Sequence, residues 1–538
     1  VHIDGGSAAK PDAVSSFGTA DALEEHMRDA GSLWELIELR AEETPDAQMA
    51  VDERGATMTF AELRDRAERV AAGLAAKGVG EGTVVSWQLP TWIESMVLVG
   101  ALARLQAVQN PILHIYRDRE VGFIVRQAGS RLLLVPSQFR GFDFESMAYT
   151  LVDGTDTEVM IVDRALPEGD PSTLPPPPPT TSAEDAPVRW LFYTSGTTSD
   201  PKGAQHTDHT IAATARGMCE RLELMADDRN ALAFPFTHIG GIIWMFSGLM
   251  EGFANILMEA FDPIGTVEVL QREGVTLAGS GTPFHMAYLA AQRKNPDQPL
   301  FPDVRVFPGG GAPKPPQLHH DIKREIGGVG IASGYGLTEA PILTMSSVRD
   351  DDEALANTEG TPMPGVQLRV VSLDGHEVAA GGEGEIRAKA PQMMRGYLDA
   401  SLDGDAFDAD GWFRTGDLGR IDDGGNVVIT GRLKDVIIRK GENISAKEVE
   451  DILFGHPAIA DVAVIGLPDP EVGERCCAIV VAKEGLQAPT FSDLQAFLAE
   501  KGLMKQKWPE QLEVLDVLPR NPAGKVLKKD LREQYARA

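Results

Sequence analysis

Cysteine is nearly absent: three residues in 538, two of them adjacent at Cys476 and Cys477. That count excludes a disulfide framework and any Cys-x-x-Cys metal knuckle, and it predicts a cytosolic protein. Long apolar runs are missing as well. The longest, Ile239 to Met250, is too short to span a bilayer and contains glycines, so a buried helix is expected there. Positive charge is scarce, with 50 basic against 80 acidic residues and a formal net charge of −30. Such a surface repels nucleic acid phosphates and anionic membrane, while leaving room for one basic cleft that takes an anionic ligand. The start, Val1-His-Ile-Asp-Gly-Gly-Ser7, lacks the charged-then-apolar pattern of a secretory signal. There is no Walker loop and no Gly-x-Ser-x-Gly elbow. His206, His209 and the pair His319-His320 have no further ligands at zinc spacing and are expected to be ordinary surface histidines. Gly327-Gly-Val-Gly330 follows a helix instead of a strand, which rejects a dinucleotide fingerprint.

What is present reads as a globular protein of two or more domains, since 538 residues exceed one core and the composition is 43% apolar and 24% charged. Residues 1 to about 30 are polar and small, and disorder is expected there. From Ser32 a helical period begins (Leu33, Leu36, Ile37), broken at Thr44-Pro45. A hairpin is predicted around Arg54-Gly55, an amphipathic helix over 61–77, a strand over 84–89 and a helix over 91–108. Alternating strands and helices at this spacing predict a mostly parallel, doubly wound α/β sheet. Residues 164–187, with five consecutive prolines at 175–179, predict a polyproline connector on the surface. Strands ending near Pro235, Ala278, Phe307 and Ser333 each lead into glycine-rich or polar loops, which is where doubly wound sheets place ligands. From about 358 short strands and turns predict a β subdomain, and from about 434 a small α+β domain. The expected division is 1–433 and 434–538.

Chemistry concentrates in five stretches. The first is Leu191-Phe-Tyr-Thr-Ser-Gly-Thr-Thr-Ser-Asp-Pro-Lys-Gly203, a buried strand opening into hydroxyls, glycine backbone and one ammonium, a donor set suited to a polyphosphate. The second is Gly334-Tyr-Gly-Leu-Thr-Glu339, which offers a flat aromatic face, a hydroxyl and a hard oxygen ligand. The third is Trp412-Phe-Arg-Thr-Gly-Asp417 with Gly431-Arg-Leu-Lys-Asp435, in which a carboxylate can accept from two hydroxyls at once. The fourth is Lys440-Gly-Glu-Asn-Ile444, followed by Ser445 and Glu448 as a helix N-terminal capping pair. The fifth is Leu518-Pro-Arg-Asn-Pro-Ala-Gly-Lys525, a lysine after a tight turn.

Together, and in this order, the five resemble the signatures of the adenylate-forming superfamily, in its acyl-CoA synthetase and fatty-acid–CoA ligase branch. Ser199 replaces the usual glycine of the phosphate loop. The resemblance implies a large N-terminal domain of doubly wound sheets plus a β subdomain, and a small mobile C-terminal domain. It implies that Thr194, Ser195, Gly196, Thr197, Thr198 and Lys202 bind phosphates, with Gly310, Gly311, Ala312, Gly334 and Gly336 also lining the nucleotide. Tyr335 would stack on adenine, Thr338 touch the α-phosphate, Glu339 hold Mg²⁺, and Asp417 and Arg432 meet the ribose. Lys434 would be the interdomain hinge and Lys525 the catalytic lysine. Lys440, Gly441 and Glu442 would line the pantetheine channel of coenzyme A. Phe236, His238, Gly240, Trp244 and Gly309 fall where the family builds its acyl pocket. The implied reaction is ATP-dependent formation of an acyl adenylate, then transfer to coenzyme A. Glycines with Met, Trp and Phe suggest a roomy apolar cavity, hence a fatty, alicyclic or steroid-side-chain acid, with an aryl acid as the alternative. A fatty acyl-AMP ligase serving a carrier protein and a nucleotide-binding regulator without turnover stay open, as does homo-oligomerisation.

Overall fold

The structure, a computed structural model, describes residues 3–4, 27–194, 200–312, 314–372, 374–439, 442–521 and 524–536. The first sheet has six strands in the order Lys202–His206, Trp190–Thr194, Val108–Pro111, Val84–Trp87, Leu132–Val135 and Glu158–Ile161. Its strands run parallel except Lys202–His206, which returns antiparallel to Trp190–Thr194. Val84–Trp87, Leu132–Val135 and Trp190–Thr194 are largely apolar, as strands of a parallel sheet covered on both faces require.

A second ladder runs Arg229–Leu232, Ala254–Leu257, Gln48–Asp52, Thr57–Thr59, and a third runs Phe307–Gly310, Ile331–Leu337, Ala340–Met345, Thr361–Pro362. Leu277 bridges Asn230 on one side and Val306 on the other, both parallel, and so joins the two ladders edge to edge. The extended segment expected near 275–278 therefore serves as a connecting rung.

Between the first two sheets pack the helices Phe60–Ala75 and Ile93–Arg104. The first starts at a reciprocal cap: Thr59 Oγ1 accepts from Glu62 N at 3.2 Å, and Glu62 Oε2 accepts from Thr59 N at 2.8 Å. Each such cap is worth about 1 kcal/mol. Burial of Trp34, Leu63, Leu98 and Leu102 beside these helices adds roughly 1.5–3 kcal/mol per large side chain. The second helix ends earlier than its apolar pattern suggests. Gln106 takes φ +55° and reverses the chain, so Val108 opens a strand. Ile239–Glu251 is the expected buried helix.

The proline segment is more than a spacer. Arg104, buried over the Trp34 ring at 5.6 Å, donates Nη2 to the Pro175 carbonyl at 2.5 Å, and Gly169 N donates to Arg69 O at 2.8 Å. A buried guanidinium needs acceptors, and the proline carbonyls, free of any ladder, supply them.

The β subdomain is one antiparallel sheet: Ile3–Asp4, Gln367–Val371, Gly384–Lys389, Phe413–Ile421 and Val427–Arg432. Beyond the Leu433–Asp435 turn, the C-terminal region builds its own sheet from Glu442–Ser445, Val436–Arg439, Gly473–Ala482 and Ile459–Asp469, with Gln511–Val514 paired parallel to Gly473–Ala482. Its central strand is buried on both faces: Cys476 packs into the core with Val449 and Leu494, and Cys477 into the one with Leu518 and Leu531.

Candidate active site

Three ladders bring the sequence motifs to one cleft. Thr194 ends its strand opposite Lys202, which begins the next, so the phosphate loop is closed by a hairpin. Residues Ser195, Gly196, Thr197, Thr198 and Ser199 lie outside the described residues. Lys202 holds its Nζ 5.3 Å from the centre of the Tyr397 ring, a cation–π distance.

The second motif lies within a strand, contrary to the expected loop. Ile331–Leu337 carries Gly334, Tyr335 and Gly336, and the pairing with Ala340–Met345 shifts register between Tyr335 and Leu337. The bulge demands glycine, because a Cβ on Gly336 would fall 2.2 Å from Ile342 N. Bulging re-aims the turn that follows, where Thr338 and Glu339 sit. Gly309 and Gly310 likewise belong to a strand, with Gly310 opposite Gly334, while Gly311 and Ala312 follow it.

Tyr335 is 9% exposed, and its hydroxyl donates to Asp417 Oδ2 at 2.9 Å. Asp417 Oδ1 meets Arg432 Nε at 3.0 Å, the two residues being cross-strand partners. Burial and the Asp417 carboxylate together drive the Tyr335 phenol well above its ordinary range, so it stays a donor.

Lys525 reaches this cluster from the C-terminal region. Its N–H donates to Asn521 Oδ1 at 2.9 Å and its carbonyl accepts from Asn521 N at 2.9 Å, which clamps the turn. Arg520 braces the turn from below, with Nη2 on both Asp461 oxygens at 2.9 and 2.7 Å and Nη1 on the Gly524 carbonyl. Gly524 seats the loop on the N-terminal region: at φ +81°, a Cβ there would fall 2.4 Å from Pro283 Cγ. The ammonium is pushed down to about 7 by burial and by the positive Arg432 and Lys434 beside it, against the pull of Asp417 and Asp435.

Lys434 lies exposed in the turn Leu433–Asp435 that joins the two regions. Lys440 and Gly441 lie outside the described residues; Glu442 opens the strand that pairs with Val436–Arg439.

A cleft opens beside the phosphate-loop strand, lined by Pro111, Leu113, Tyr116, Phe192, Tyr193, Thr237, His238, Ile239 and Thr338. His238 caps the helix Ile239–Glu251: its Nδ1 accepts from Gly240 N at 3.1 Å. Burial holds this imidazole down at about 4, so it is neutral with its proton on Nε2. Phe236 is fully buried, its ring 6.1 Å from that of Trp87. Trp244 does not line the cleft. It is 5% exposed and set edge-on to Phe253 at 6.1 Å, one helical turn too far along. Gly309 is also outside the lining and faces Ile331 and Ser333.

Two histidines expected at the surface are buried. His206 bridges Thr210 Oγ1 at 3.0 Å and the Thr338 carbonyl at 2.9 Å, so it supports the site from behind and is held at about 4 by burial. His319 is 0% exposed and accepts through Nδ1 from Ile331 N at 3.1 Å. Their flanking polar residues disguised them; only the pairing of neighbouring strands encloses them.

The site also contains a residue that the motifs did not point to, Tyr397, whose hydroxyl donates to Glu339 at 2.7 Å. Arg395-Gly-Tyr397 carries no composition signal. Glu339 is 9% exposed. With one oxygen held by a phenol, its other oxygen is a hard ligand of the type Mg²⁺ takes. Among the described residues no group of three or more His, Cys, Asp or Glu could hold a metal.

A cleft between a doubly wound domain and a small lysine-bearing one is the arrangement of enzymes that make acyl adenylates. The family model "AMP-binding enzyme" matches residues 37–398, and "AMP-binding enzyme C-terminal domain" matches 448–525. A medium-chain fatty-acid–CoA ligase of Escherichia coli is 31% identical over 94% of this chain and 91% of its own. The 3-[(3aS,4S,7aS)-7a-methyl-1,5-dioxo-octahydro-1H-inden-4-yl]propanoyl:CoA ligase of Rhodococcus jostii is 32% identical over 90% of this chain and 95% of its own. Among solved structures, o-succinylbenzoate coenzyme A synthetase from Bacillus subtilis with ATP and magnesium superposes with a TM-score of 0.78 at 28% identity, covering 93% of this chain and 98% of that one. The chain belongs to the AMP-binding, adenylate-forming enzymes, in their acyl-CoA synthetase branch. It is an ATP-using, AMP-forming acid–thiol ligase.

Proposed function

We propose that the acid is hydrophobic (a fatty, alicyclic or steroid-side-chain acid) and that Mg²⁺ accompanies ATP. The observation that carries the reading is the meeting of Tyr335, Asp417, Arg432 and Lys525 across the two regions. A nucleotide placed there would stack on Tyr335 and offer its ribose diol to Asp417. A carboxylate oxygen attacks the α-phosphorus, the bond to pyrophosphate breaks, and acyl-AMP forms.

The obstacle in that step is bringing anions together. Lys202, Arg432 and Lys525 are the cations that offset it, worth several kcal/mol when fixed in a dry cleft. The low affinity of Lys525 for its proton supports this role. The ammonium sits among like charges until an anion arrives, so binding of substrate restores full charge where the transition state needs it. Mg²⁺, held by Glu339, would neutralise charge on the transferred phosphates.

For the second step the C-terminal domain, 434–538, would turn about Lys434, withdrawing Lys525 and bringing Gly441 to the pantetheine arm. The coenzyme A sulfur then bonds to the acyl carbon, AMP leaves with the bonding electrons, and the thiol proton passes to solvent. The acid is assigned to the cleft at His238. Its walls combine apolar Pro111, Leu113, Phe192 and Ile239 with hydroxyl-bearing Tyr116, Tyr193, Thr237 and Thr338; the former would receive an apolar chain, and the neutral His238 adds no charge to attract a second carboxylate.

The test is AMP release over a panel of acids, with and without coenzyme A. CoA-dependent AMP from hydrophobic acids is the expected result. Turnover confined to amino acids or dicarboxylates would overturn the substrate assignment, and acyl-AMP without thioester would move the chain to carrier-protein delivery.

A further inference from the structure

Tyr397 stands at the junction of two groups that the motifs treat separately. Its backbone is fixed by an extra edge on the strand Lys202–His206. Leu398 N donates to Gly203 O at 2.8 Å, Gln205 N to Gly396 O at 3.1 Å, and Arg395 N to Gln205 O at 2.8 Å. Gln205 Nε2 adds a bond to the Tyr397 carbonyl at 3.0 Å, and Tyr397 N donates to Asp403 Oδ1 at 2.9 Å. No backbone freedom is left to the ring. The residue is 5% exposed, yet each end of its side chain meets a charge. The hydroxyl donates to Glu339 Oε1 at 2.7 Å, and the ring face lies 5.3 Å from Lys202 Nζ.

One side chain thus contacts both an anion and a cation. Removing it would strip Glu339 of a hydrogen-bond donor and Lys202 of its ring contact. A phenol interposed between them satisfies the anion through its O–H and the cation through its ring quadrupole, without neutralising either. Burial and the Glu339 carboxylate keep the phenol protonated, well above its usual range.

We infer that Tyr397 is a positioning residue for the metal–nucleotide complex: its hydroxyl presents Glu339 to the divalent cation, and its ring presents Lys202 to the phosphates. The inference rests on the proposed role of Glu339. Partners that orient a metal ligand through a hydrogen bond control cation affinity by about 10–100-fold.

Binding, not turnover, tests it. Mn²⁺ is titrated into the full chain with a non-hydrolysable ATP analogue, and free Mn²⁺ is read by electron paramagnetic resonance. Analogue affinity without metal is measured separately. Tyr397→Phe keeps the ring and is expected to weaken Mn²⁺ binding about 10-fold, with metal-free analogue affinity unchanged. Tyr397→Leu loses the ring too and is expected to weaken metal-free analogue binding as well. In a Glu339→Gln background, Tyr397→Phe is expected to have no further effect on Mn²⁺. Thermal melting of each variant separates misfolding from lost affinity, and the Glu339→Gln cycle needs only small, folded changes. Wild-type Mn²⁺ affinity in Tyr397→Phe, or an undiminished effect in the Glu339→Gln background, overturns the inference while leaving the ligase reading intact. A wild-type chain that binds the analogue but no Mn²⁺ overturns this inference and the metal role of Glu339 together.

Discussion

On one side of the nucleotide cleft, Lys202 opens a strand of the N-terminal region, Tyr397 bridges to that strand at Ala204, and Glu339 sits in the turn between two paired strands. On the other side, Lys525 stands at the end of a turn, held by Asn521 and braced by Arg520 within its own region. Gly524 seats its loop on Pro283, and Arg432 and Asp417 of the larger region lie beside the ammonium. Under the proposed function the phosphate-binding groups are therefore fixed by the larger region, while the group proposed for one half-reaction is clamped by residues of its own region. Placement of Lys525 within its turn would then survive a change in how the two regions are arranged.

Removing Lys525 should break the comparison most sharply. Lys525→Ala is expected to lower acyl-adenylate formation by about 10²–10³-fold, as for loss of one transition-state donor. Conversion of pre-formed acyl-AMP to thioester should stay within about twofold, because the proposed second step withdraws Lys525 from the site. Pyrophosphate exchange and single-turnover thioester formation read the two halves; equal losses in both would refute the division of labour.

The pH profile should sharpen it. In the proposed mechanism the protonated form of Lys525 is the active one, and it is present below about 7. The kcat/KM for adenylation, which reports the free enzyme, should therefore fall about tenfold per unit as pH rises beyond that value. The thioester half-reaction should not follow that limb, and Lys525→Arg should shift it upward.

Asp417→Asn should act on nucleotide binding in both halves. It leaves Arg432, which is 31% exposed, short of its partner, so a loss of about 1 kcal/mol and a roughly fivefold rise in KM for ATP are expected. Arg520→Gln should have the smallest effect, loosening the turn at Gly524: a drop of about threefold in adenylation, of the order of one partly exposed ion pair, with ATP binding unchanged by calorimetry.

Much of this architecture was legible before any coordinates. Strands with branched and aromatic residues leading into glycine and hydroxyl loops located the phosphate hairpin, and the order of five motifs located the cleft. Legibility failed where two strands decide one residue's fate. Gly334 to Leu337 look like a loop because glycine weakens strands, yet the bulge opposite Ile342 uses that weakness. His206 and His319 look exposed because their sequence neighbours are polar. Trp244 looks like a pocket wall because it is large and close in sequence to His238, but helical rotation turns it toward Phe253. Tyr397 was invisible because its partner is 58 positions away, and the pairing that brings it there is made by backbone atoms, which carry no residue identity.

The adjacent cysteines of the central C-terminal strand have a bearing on product loss. A thiolate within reach attacks the carbonyl carbon of an acyl adenylate, a mixed anhydride, and expels AMP, so an enzyme that makes one risks acylating itself. All three cysteines of the chain are buried. Cys476 and Cys477 point into opposite cores of one strand, and burial pushes the Cys477 thiol up to about 12 and the Cys476 thiol higher still. Neither sulfur is ionised or accessible. Both cysteines of the C-terminal region are thus withheld from acylation, which leaves the thiol of the incoming coenzyme without competition from them.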